Sequence, residues 1–446
     1  MKTLLIKNFT RSKGLMLGLL LLLISGLVSL NIGKQFLEKN TQIIEETAHY
    51  QQENINRYVQ NVDKEMGLLL YYLRFGLVNQ TPNLAGLSIG QRDINPSIIS
   101  VTIRNLEEQK YTTDLMNPMY QLLGNLDFSF VLLYFFPLII ITFCFNLISE
   151  EKEEGTWSLL LTQAQNPQKV LLWKIGIRYF SILLALILLF IIAKFYLSIA
   201  FDLPFIAFCL VAILYVTFWF CISWLVVSWQ KSSSQNALIL LITWVMLTII
   251  IPASVNATVA AIYPVPEAFK TTLDSREAYH SKWDKAKEPT IEKFYQHYPQ
   301  FRKYKHPQGH DYSWLWYYAA QQMADDESMV SSQQLKEKLQ QRERLVQIIG
   351  WVVPSINTQL SFSQLSLTDI QNNLSFWKAL ENFHEQKRLY FYPKIFAEIP
   401  VNQENWKQFK LASFHDKVII HWFSTILPML LISLLCFWKA MKNLIF

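Results

Sequence analysis

Residues 128–161 have the sequence FSFVLLYFFPLIIITFCFNLISEEKEEGTWSLLL. An apolar run long enough to cross a bilayer ends abruptly in four glutamates between positions 150 and 154, and Gly155 follows them. Unpaired carboxylates are too costly to bury in hydrocarbon, so the acidic residues must leave the membrane. The leucines that follow predict a short helix that lies at the membrane face, between two spans, where a soluble partner can reach it.

The composition is that of a membrane protein. The chain has 446 residues, of which 52% are hydrophobic, well above the balance of soluble domains. The net charge of +6 is modest and the basic residues are scattered, so no nucleic-acid partner is predicted. No G-x-x-x-x-G-K-[S/T] motif occurs, so the chain carries no P-loop ATPase of its own. We expect no disulfide framework, because every cysteine lies in an apolar run: Cys144, Cys209, Cys221 and Cys436.

Six stretches match the roughly 20 apolar residues that a helix needs to cross a bilayer. They are residues 15–32, 128–148, 179–199, 204–228, 237–262 and 418–438. A cleaved signal peptide is the alternative for the first stretch, but its apolar run is long and no A-x-A-like site follows, which favours an uncleaved anchor. We therefore predict an all-α polytopic membrane protein with six transmembrane helices.

The basic residues near the span ends predict the orientation, since cytoplasmic loops carry an excess of Lys and Arg. They cluster at the N-terminus, between spans two and three, between spans four and five, and in the tail 439–446. Six spans place all these regions on one side, so both termini and the glutamates are predicted to be cytoplasmic. Residues 1–14 also interleave apolar and basic residues. Two interpretations stay open for them: an interfacial amphipathic helix, or simple positive-inside signalling.

Two long polar segments, residues 33–127 and 263–417, are then extracytoplasmic and mainly helical. The charged stretch 34–72 has few breakers and predicts a helix that continues span one beyond the membrane. Ile98–Ile103 has the character of a strand. The second segment predicts helices at Thr272–Tyr298, Trp314–Val352 and Phe376–Phe396, the last ending near Pro393.

The connection 149–175 has features of a short, rigid lever. Gly155 is a hinge, Thr156 a candidate N-cap and Pro167 a stop. Glu153 and Glu154 lie near the predicted helix start, where the helix dipole favours anions. Four residues supply an apolar docking face: Trp157, Leu159, Leu160 and Leu161. The alternative is that the carboxylates are only the solvated edge of span two, and that the leucines only rest in the membrane interface.

These residues resemble the signature of a known family. The run Glu151-Lys-Glu-Glu-Gly-Thr156, then Leu159-Leu160, Pro167 and Lys174, is similar to the E-[R/K]-E-x-G-T stretch of ABC-2-type transporter permeases. The six-span layout agrees with that family. The two long outer segments, with Asn117-Pro118 and the residues 124–128 before span two, resemble its branch with a large extracytoplasmic domain of unknown function, which is similar to permeases of gliding-motility and nitrous-oxide-reductase gene clusters.

The resemblance implies the membrane subunit of an ABC transporter in a bacterial inner membrane. Residues 149–175 would then carry the coupling helix that seats in a groove of a separate cytoplasmic ATPase. That ATPase would bind ATP and Mg, with no cofactor in this chain. Further implied partners are a second permease copy or a related permease, membrane lipid and a periplasmic protein. The implied coupling residues are Glu151, Glu153, Glu154, Gly155, Thr156, Trp157, Leu159, Leu160 and Pro167.

Two other classes of function were weighed. A membrane-anchored sensor or scaffold with a periplasmic ligand-binding domain is the alternative, although the inner loops leave no room for an output domain. A polytopic enzyme lacks a catalytic cluster, and we predict neither catalytic nor metal-ligating residues. His384-Glu385 fails the H-E-x-x-H motif because position 388 is Arg. His297, His306 and His310 favour an aromatic-rich surface loop over a metal site.

Overall fold

The computed structural model describes residues 2–110, 125–163, 166–265, 273–274, 276–277, 279–283, 286–307, 310 and 312–444. Within these residues, six helices are long and apolar enough to cross a membrane. This arrangement fits a predominantly helical, multi-pass membrane protein, as the sequence predicts. Spans 1 to 6 are Lys13–Asn61, Phe128–Glu153, Pro167–Tyr196, Leu203–Val227, Ser233–Ile262 and Trp422–Asn443.

Span 1 is the longest helix of the protein's described part. It follows a short N-terminal helix, α1 (Lys2–Arg11), and runs without interruption for 49 residues as α2 (Lys13–Asn61). At 1.5 Å per residue this is about 70 Å, more than twice the thickness of a bilayer core. The helix therefore continues well beyond the membrane, although it ends at Asn61 and a separate helix, α3 (Met66–Tyr72), follows.

Several spans begin or end away from the predicted positions because the apolar run and the helix differ in length. Span 3 starts at Pro167 rather than 179, since the basic residues Lys169, Lys174 and Arg178 interrupt the apolar run without breaking the helix. It ends at Tyr196 rather than 199. Span 5 likewise starts at Ser233, and span 6 runs from Trp422 to Asn443 rather than over 418–438.

The two polar segments fold together into one unit, which we call the polar domain. It contains a three-stranded sheet in addition to its helices. The first segment gives β1 (Phe75–Asn79) and β2 (Ile98–Val101), which pair antiparallel, and the second gives β3 (Ala412–Phe414), which pairs parallel with β1. The strand predicted at Ile98–Ile103 corresponds to β2. β1 shows no alternation because all five of its residues are buried, and β3 has only three residues, so neither strand was predicted.

Five helices of the polar domain make the contacts described in the following sections. After α4 (Leu106–Lys110), the second segment gives α12 (Lys287–His297), α13 (Trp314–Gly350), α14 (Pro354–Leu365) and α15 (Ile370–Phe396). The labels α5 to α11 denote helices of spans 2 to 5 and of the loop that follows span 2. Pro393 lies inside α15, which ends at Phe396, the last residue of the predicted range, but begins at Ile370 rather than Phe376. The residues Asn117, Pro118, Gly124 and Thr272 lie outside the described residues.

Buried polar contacts fasten the first segment to the second. Arg388 on α15 donates to Asp325 on α13 at 2.7 Å and to the carbonyl of Ile103 at 3.1 Å. His384, one turn before it, lies 2.9 Å from the carbonyl of Thr102. Burial beside Arg388 lowers the pKa of His384 well below its ordinary value, so this imidazole is neutral. It is a structural residue of the domain core.

The bundle has two distinct ends. At the end that we call the termini side, Phe9 of α1 packs edge-on against Phe143 of span 2, and Gln168 of span 3 donates to the carbonyl of Leu444 at 2.6 Å. At the opposite end, the domain side, Asn83 of the polar domain donates to the carbonyl of Ser198 at 2.9 Å. The termini and the acidic residues after span 2 therefore share one end of the bundle, and the polar domain occupies the other.

We expect Gly33 to be indispensable to the junction of span 1 with the polar domain. A Cβ atom at Gly33 would lie 1.9 Å from the carbonyl oxygen of Gly86, which belongs to the backbone and cannot rotate away. Gly33→Ala should lower the free energy of unfolding by about 1–3 kcal/mol. Gly14→Ala on the same helix is the control, since nothing lies within 4 Å of its Cβ position. Equal thermal stabilities of the two variants would contradict the close approach.

A second expectation concerns Asp127, which caps span 2 on the domain side. Its carboxylate accepts from the backbone N–H of Phe130 and of Ile89, both at 2.8 Å, and burial raises its pKa to about 6. Because the folded protein holds this proton more tightly than the unfolded chain, the contribution of Asp127 to stability is greatest below pH 4 and is lost as the pH rises through 6.

The stability of the wild type relative to Asp127→Asn should therefore fall between pH 4.5 and pH 7, by at most about 3 kcal/mol. Asparagine is an equally good helix cap but does not titrate, which makes it the matched variant. Thermal unfolding of both proteins at the two pH values gives the difference. A difference that does not change with pH would contradict the raised pKa.

Candidate functional site

The acidic residues after span 2 form a helix–turn–helix loop at the termini side, which we call the acidic loop (residues 149–166). The apolar part of span 2 ends with α5 (Phe136–Cys144), and a turn leads into α6 (Ser149–Glu153). Gly155 follows at a φ of +74°, a conformation that residues with a Cβ rarely adopt. A second short helix, α7 (Trp157–Gln163), completes the loop.

Glu151 fastens the loop to span 3. Its carboxylate forms a salt bridge with Lys174, and both side chains are largely buried. The hydroxyl of Thr156 donates to the same carboxylate and, at 3.2 Å, to the backbone carbonyl of Glu151. Thr156 therefore precedes α7 as predicted, but its hydroxyl holds the turn against α6 and does not act as the predicted N-cap acceptor.

Glu153 fastens the loop to span 5. Its two carboxylate oxygens accept from the backbone N–H of Ser233 at 2.9 Å and from the Ser233 hydroxyl at 2.8 Å. Ser233 is the first residue of span 5, so the carboxylate lies at the positive end of that helix dipole. Glu153 is therefore near a helix N-terminus, as predicted, but the helix is span 5, which begins 80 positions later in the chain. Within the loop itself, Glu153 is the last residue of α6.

A third contact adds to these two. Lys152 donates to Gln230 in the connection between spans 4 and 5 at 2.8 Å, and its ammonium lies 5.4 Å from the centre of the Trp157 ring. Glu154 is the exposed C-cap of α6. Neighbouring glutamates therefore differ in role, because Glu151 and Glu153 are held by other elements whereas Glu154 points to solvent.

The second helix of the loop presents an accessible apolar surface. No residue of α7 is buried, and the side chain of Leu159 is 53% exposed. Leu160 is partly covered, and Trp157 packs on a small cluster that joins the ends of spans 2, 3, 4 and 6. That cluster consists of Leu147, Ile148, Leu171, Trp224, Val227, Ala440 and Leu444. Trp157 thus anchors α7 to the bundle while Leu159 stays available.

Pro167 has a different role from the predicted stop. It is the first residue of α8, the helix of span 3 (Pro167–Tyr196), and the side chain of Asn166 caps that helix by accepting from Lys169 N–H at 3.0 Å. Proline is favoured at this position because its missing N–H has no intrahelical partner there. The acidic loop therefore passes directly into span 3, with no flexible linker described between Asn166 and the span.

In the sequence, Lys174 stands out as an orientation signal and as part of the family signature, whereas nothing singles out Ser233 as a partner of Glu153. Lys174 and Glu151 are 23 positions apart in the chain, and spans 3 and 4 separate Glu153 from Ser233. Neither pair has a local signature. The serine-rich start of span 5, Ser232-Ser233-Ser234, is the one available hint, since exposed helix N-termini attract carboxylates.

The histidines singled out in the polar domain do not converge. His297 lies 2.8 Å from Asp326, whereas His306 contacts the Ser313 hydroxyl at 2.6 Å and the carbonyl of His310 at 2.9 Å. Within the described residues, no group of three or more His, Cys, Asp or Glu side chains is arranged to hold a metal ion. These contacts fit a structured loop against α13.

Comparison with known proteins gives one match. The model of a family described as "Domain of unknown function (DUF3526)" matches residues 268–414, which lie within the second polar segment. No curated protein and no solved structure matches the chain. The match covers only that segment and leaves out the first polar segment, the acidic loop and all six spans.

Glu153 should restrain α7 through its contacts with Ser233, whereas the exposed neighbour Glu154 should not. Glu153→Ala removes both hydrogen bonds to Ser233, so backbone amides of α7 should exchange with deuterium several-fold faster. Glu154→Ala removes an exposed carboxylate and is the matched control. Hydrogen exchange of the full-length protein in lipid nanodiscs, read by mass spectrometry, tests this. Indistinguishable exchange in the two variants would show that Ser233 does not hold the loop.

Proposed function

We propose that the chain is the membrane-spanning permease subunit of an ABC transporter in a bacterial inner membrane. A separate cytoplasmic ATPase, with its own ATP and Mg, would dock on the acidic loop. The subunit would couple hydrolysis to export or to mechanical work on a periplasmic partner. The observation that carries this proposal is a loop held at its glutamates by spans 3 and 5 while Leu159 on α7 stays exposed.

A loop that transmits force needs to be rigid where it meets the spans and accessible where it meets the motor. Covalent connection to spans 2 and 3, together with the Glu153–Ser233 contacts, ties displacement of the loop to three spans. The apolar surface of α7, with the exposed glutamate beside it, fits a protein partner better than a lipid surface. Anionic lipid headgroups would repel the glutamates of this loop.

The remaining partners follow from the same proposal. One six-span chain seldom encloses a pathway, so a second copy or a related permease completes the assembly, in contact with membrane lipid. The polar domain would lie in the periplasm, since it occupies the end of the bundle opposite the acidic loop. A sensor or scaffold is less well supported, because the described connections at the termini side are short and leave no room for an output domain.

Docking should depend on Leu159. Leu159→Asp places a charge in the proposed interface and is expected to weaken association with the ATPase at least tenfold, as loss of a central apolar contact does. Met329→Asp, at a residue of the polar domain that is 58% exposed, controls for the added charge. Association is measured by co-purification of the full-length protein with the ATP-binding chain of its assembly, and by ATP turnover of that assembly.

Two outcomes would contradict the proposal. One is a purified assembly that contains no ATP-binding chain. The other is a Leu159→Asp variant that retains the same ATPase and the same turnover as Met329→Asp.

A further inference from the structure

Spans 2 and 5 depart from α-helical geometry in the same way. Span 2 contains a π-helical segment, Val131–Phe135, and Pro137 follows two residues later. Span 5 contains a π-helical segment, Met246–Ile250, between α10 (Ser233–Val245) and α11 (Ile251–Ile262), and Pro252 follows at the same spacing. The helix of span 4 is α9 (Leu203–Val227). Proline lacks an N–H and its ring clashes with the carbonyl one turn earlier, which a wider π turn relieves.

This geometry leaves backbone carbonyls without a helical donor. In span 2, the N–H of Phe136 donates to Val131, five residues earlier, and Pro137 has no N–H to continue that pattern to the carbonyl of Leu132. A hydroxyl from another helix reaches the adjacent carbonyl, because Tyr215 of span 4 donates to Leu133 at 3.1 Å. Tyr215 is fully buried. An unpaired carbonyl in hydrocarbon costs several kcal/mol, so a hydroxyl that reaches the disturbed turn stabilises it where water is absent.

In span 5, a hydroxyl reaches the carbonyl that the proline itself leaves without a donor. The N–H of Ile251 donates to Met246, and Pro252 has no N–H for the carbonyl of Leu247. The hydroxyl of Ser355 donates to that carbonyl, and Ser355 is 7% exposed. Ser355 belongs to α14, which follows the long helix α13 of the polar domain after three residues. A polar-domain residue therefore completes the hydrogen bonding of a membrane span.

The helix α14 also contacts two other spans. The ring of Phe362 stacks on Phe208 of span 4, with 4.1 Å between ring centres, and Asn357 donates to the carbonyl of Ser424 in span 6 at 2.9 Å. Phe362 is fully buried in the main cluster of the bundle. Although α14 belongs to the second polar segment, it packs as part of the membrane bundle and touches spans 4, 5 and 6.

Open space lies between the two proline segments. A cavity of about 190 Å³ is lined from span 2 by Leu133 and Tyr134, from span 5 by Thr248 and Pro252, and from α14 by Ser355. Helices bend most readily at proline and π segments, and here the surroundings leave room for such a bend.

We propose that α14 is the element through which the membrane bundle and the polar domain move together. The Ser355 hydroxyl is a positioning group that closes a proline hinge in span 5, whereas the Tyr215 hydroxyl binds a carbonyl next to the proline gap in span 2. Span 5 is also the span that Glu153 holds at the termini side, so displacement of the acidic loop reaches the hinge along one helix. This inference deepens the proposed function, but its test needs neither ATPase nor cargo.

A double-mutant cycle isolates the contact chemically. Ser355→Ala removes the donor and should lower the melting temperature of the full-length protein in nanodiscs by about 2 °C. Pro252→Ala restores a backbone N–H that can serve the orphaned carbonyl. In the Pro252→Ala background, Ser355→Ala should therefore have little further effect. Ser355→Thr keeps a hydroxyl and should preserve the stability of the wild type.

Ser361→Ala is the matched control, because this serine lies on the same helix and its hydroxyl bonds to Asn357 of that helix at 2.8 Å. The proposal is overturned if Ser355→Ala and Ser361→Ala behave alike, or if the effects of Ser355→Ala and Pro252→Ala simply add. Should Ser355→Ala fail to fold, its rescue by Pro252→Ala supports the hinge contact, and failure of the double variant contradicts it.

The mechanical role has its own readout. Spin labels at Met329 of the polar domain and Leu238 of span 5, both well exposed, report the distance between the domain and the termini side of that span. Ser355→Ala should broaden the distance distribution measured by pulsed electron paramagnetic resonance, whereas Ser361→Ala should not. An unchanged distribution in Ser355→Ala would contradict transmission through α14, whatever its effect on melting.

Discussion

Water is absent from the hydrocarbon of a bilayer, so every backbone carbonyl and N–H that enters it needs a partner within the protein. Six long helices satisfy this requirement almost by themselves. The exceptions are prolines inside spans 2, 5 and 6, because Pro137, Pro252 and Pro428 each remove a donor. Hydroxyls from other elements reach two of these disturbed turns: Ser355 binds the carbonyl that Pro252 leaves without a donor, and Tyr215 binds a carbonyl beside the Pro137 gap. Local breaks in two helices thereby create obligatory contacts between elements far apart in the chain.

The same solvent constraint explains the acidic loop. Its glutamates lie outside the apolar part of span 2, yet two of them are not simply solvated. Glu151 pairs with Lys174, and Glu153 accepts from the N-terminus of span 5, where backbone N–H groups lack helical partners. These carboxylates cannot enter the membrane, and they instead join the ends of helices that cross it. What remains accessible is the apolar surface around Leu159.

How much of this the sequence predicts depends on the range of the interaction. Hydrophobicity over about 20 residues finds all six spans, because crossing the bilayer is a property of each segment alone. Span ends are less well predicted, as the early start of span 3 at Pro167 shows. The helix α14 falls within the predicted outer segment 263–417, but its polar residues Ser355 and Asn357 pair with carbonyls of spans 5 and 6 inside the bundle. The Glu153–Ser233 contact depends on how three spans are arranged, which no local pattern encodes.

The proposed function depends most on the side of the membrane on which the acidic loop lies. A single cysteine at Ser158, exposed on α7, in a background without the native cysteines, can be treated with a membrane-impermeant maleimide in vesicles of either orientation. If the proposed function is correct, position 158 is labelled from the cytoplasmic face alone. A cysteine at Met329 in the polar domain is then labelled from the periplasmic face alone. Labelling of position 158 from the periplasmic face would contradict the account, because no cytoplasmic ATPase could then reach the loop.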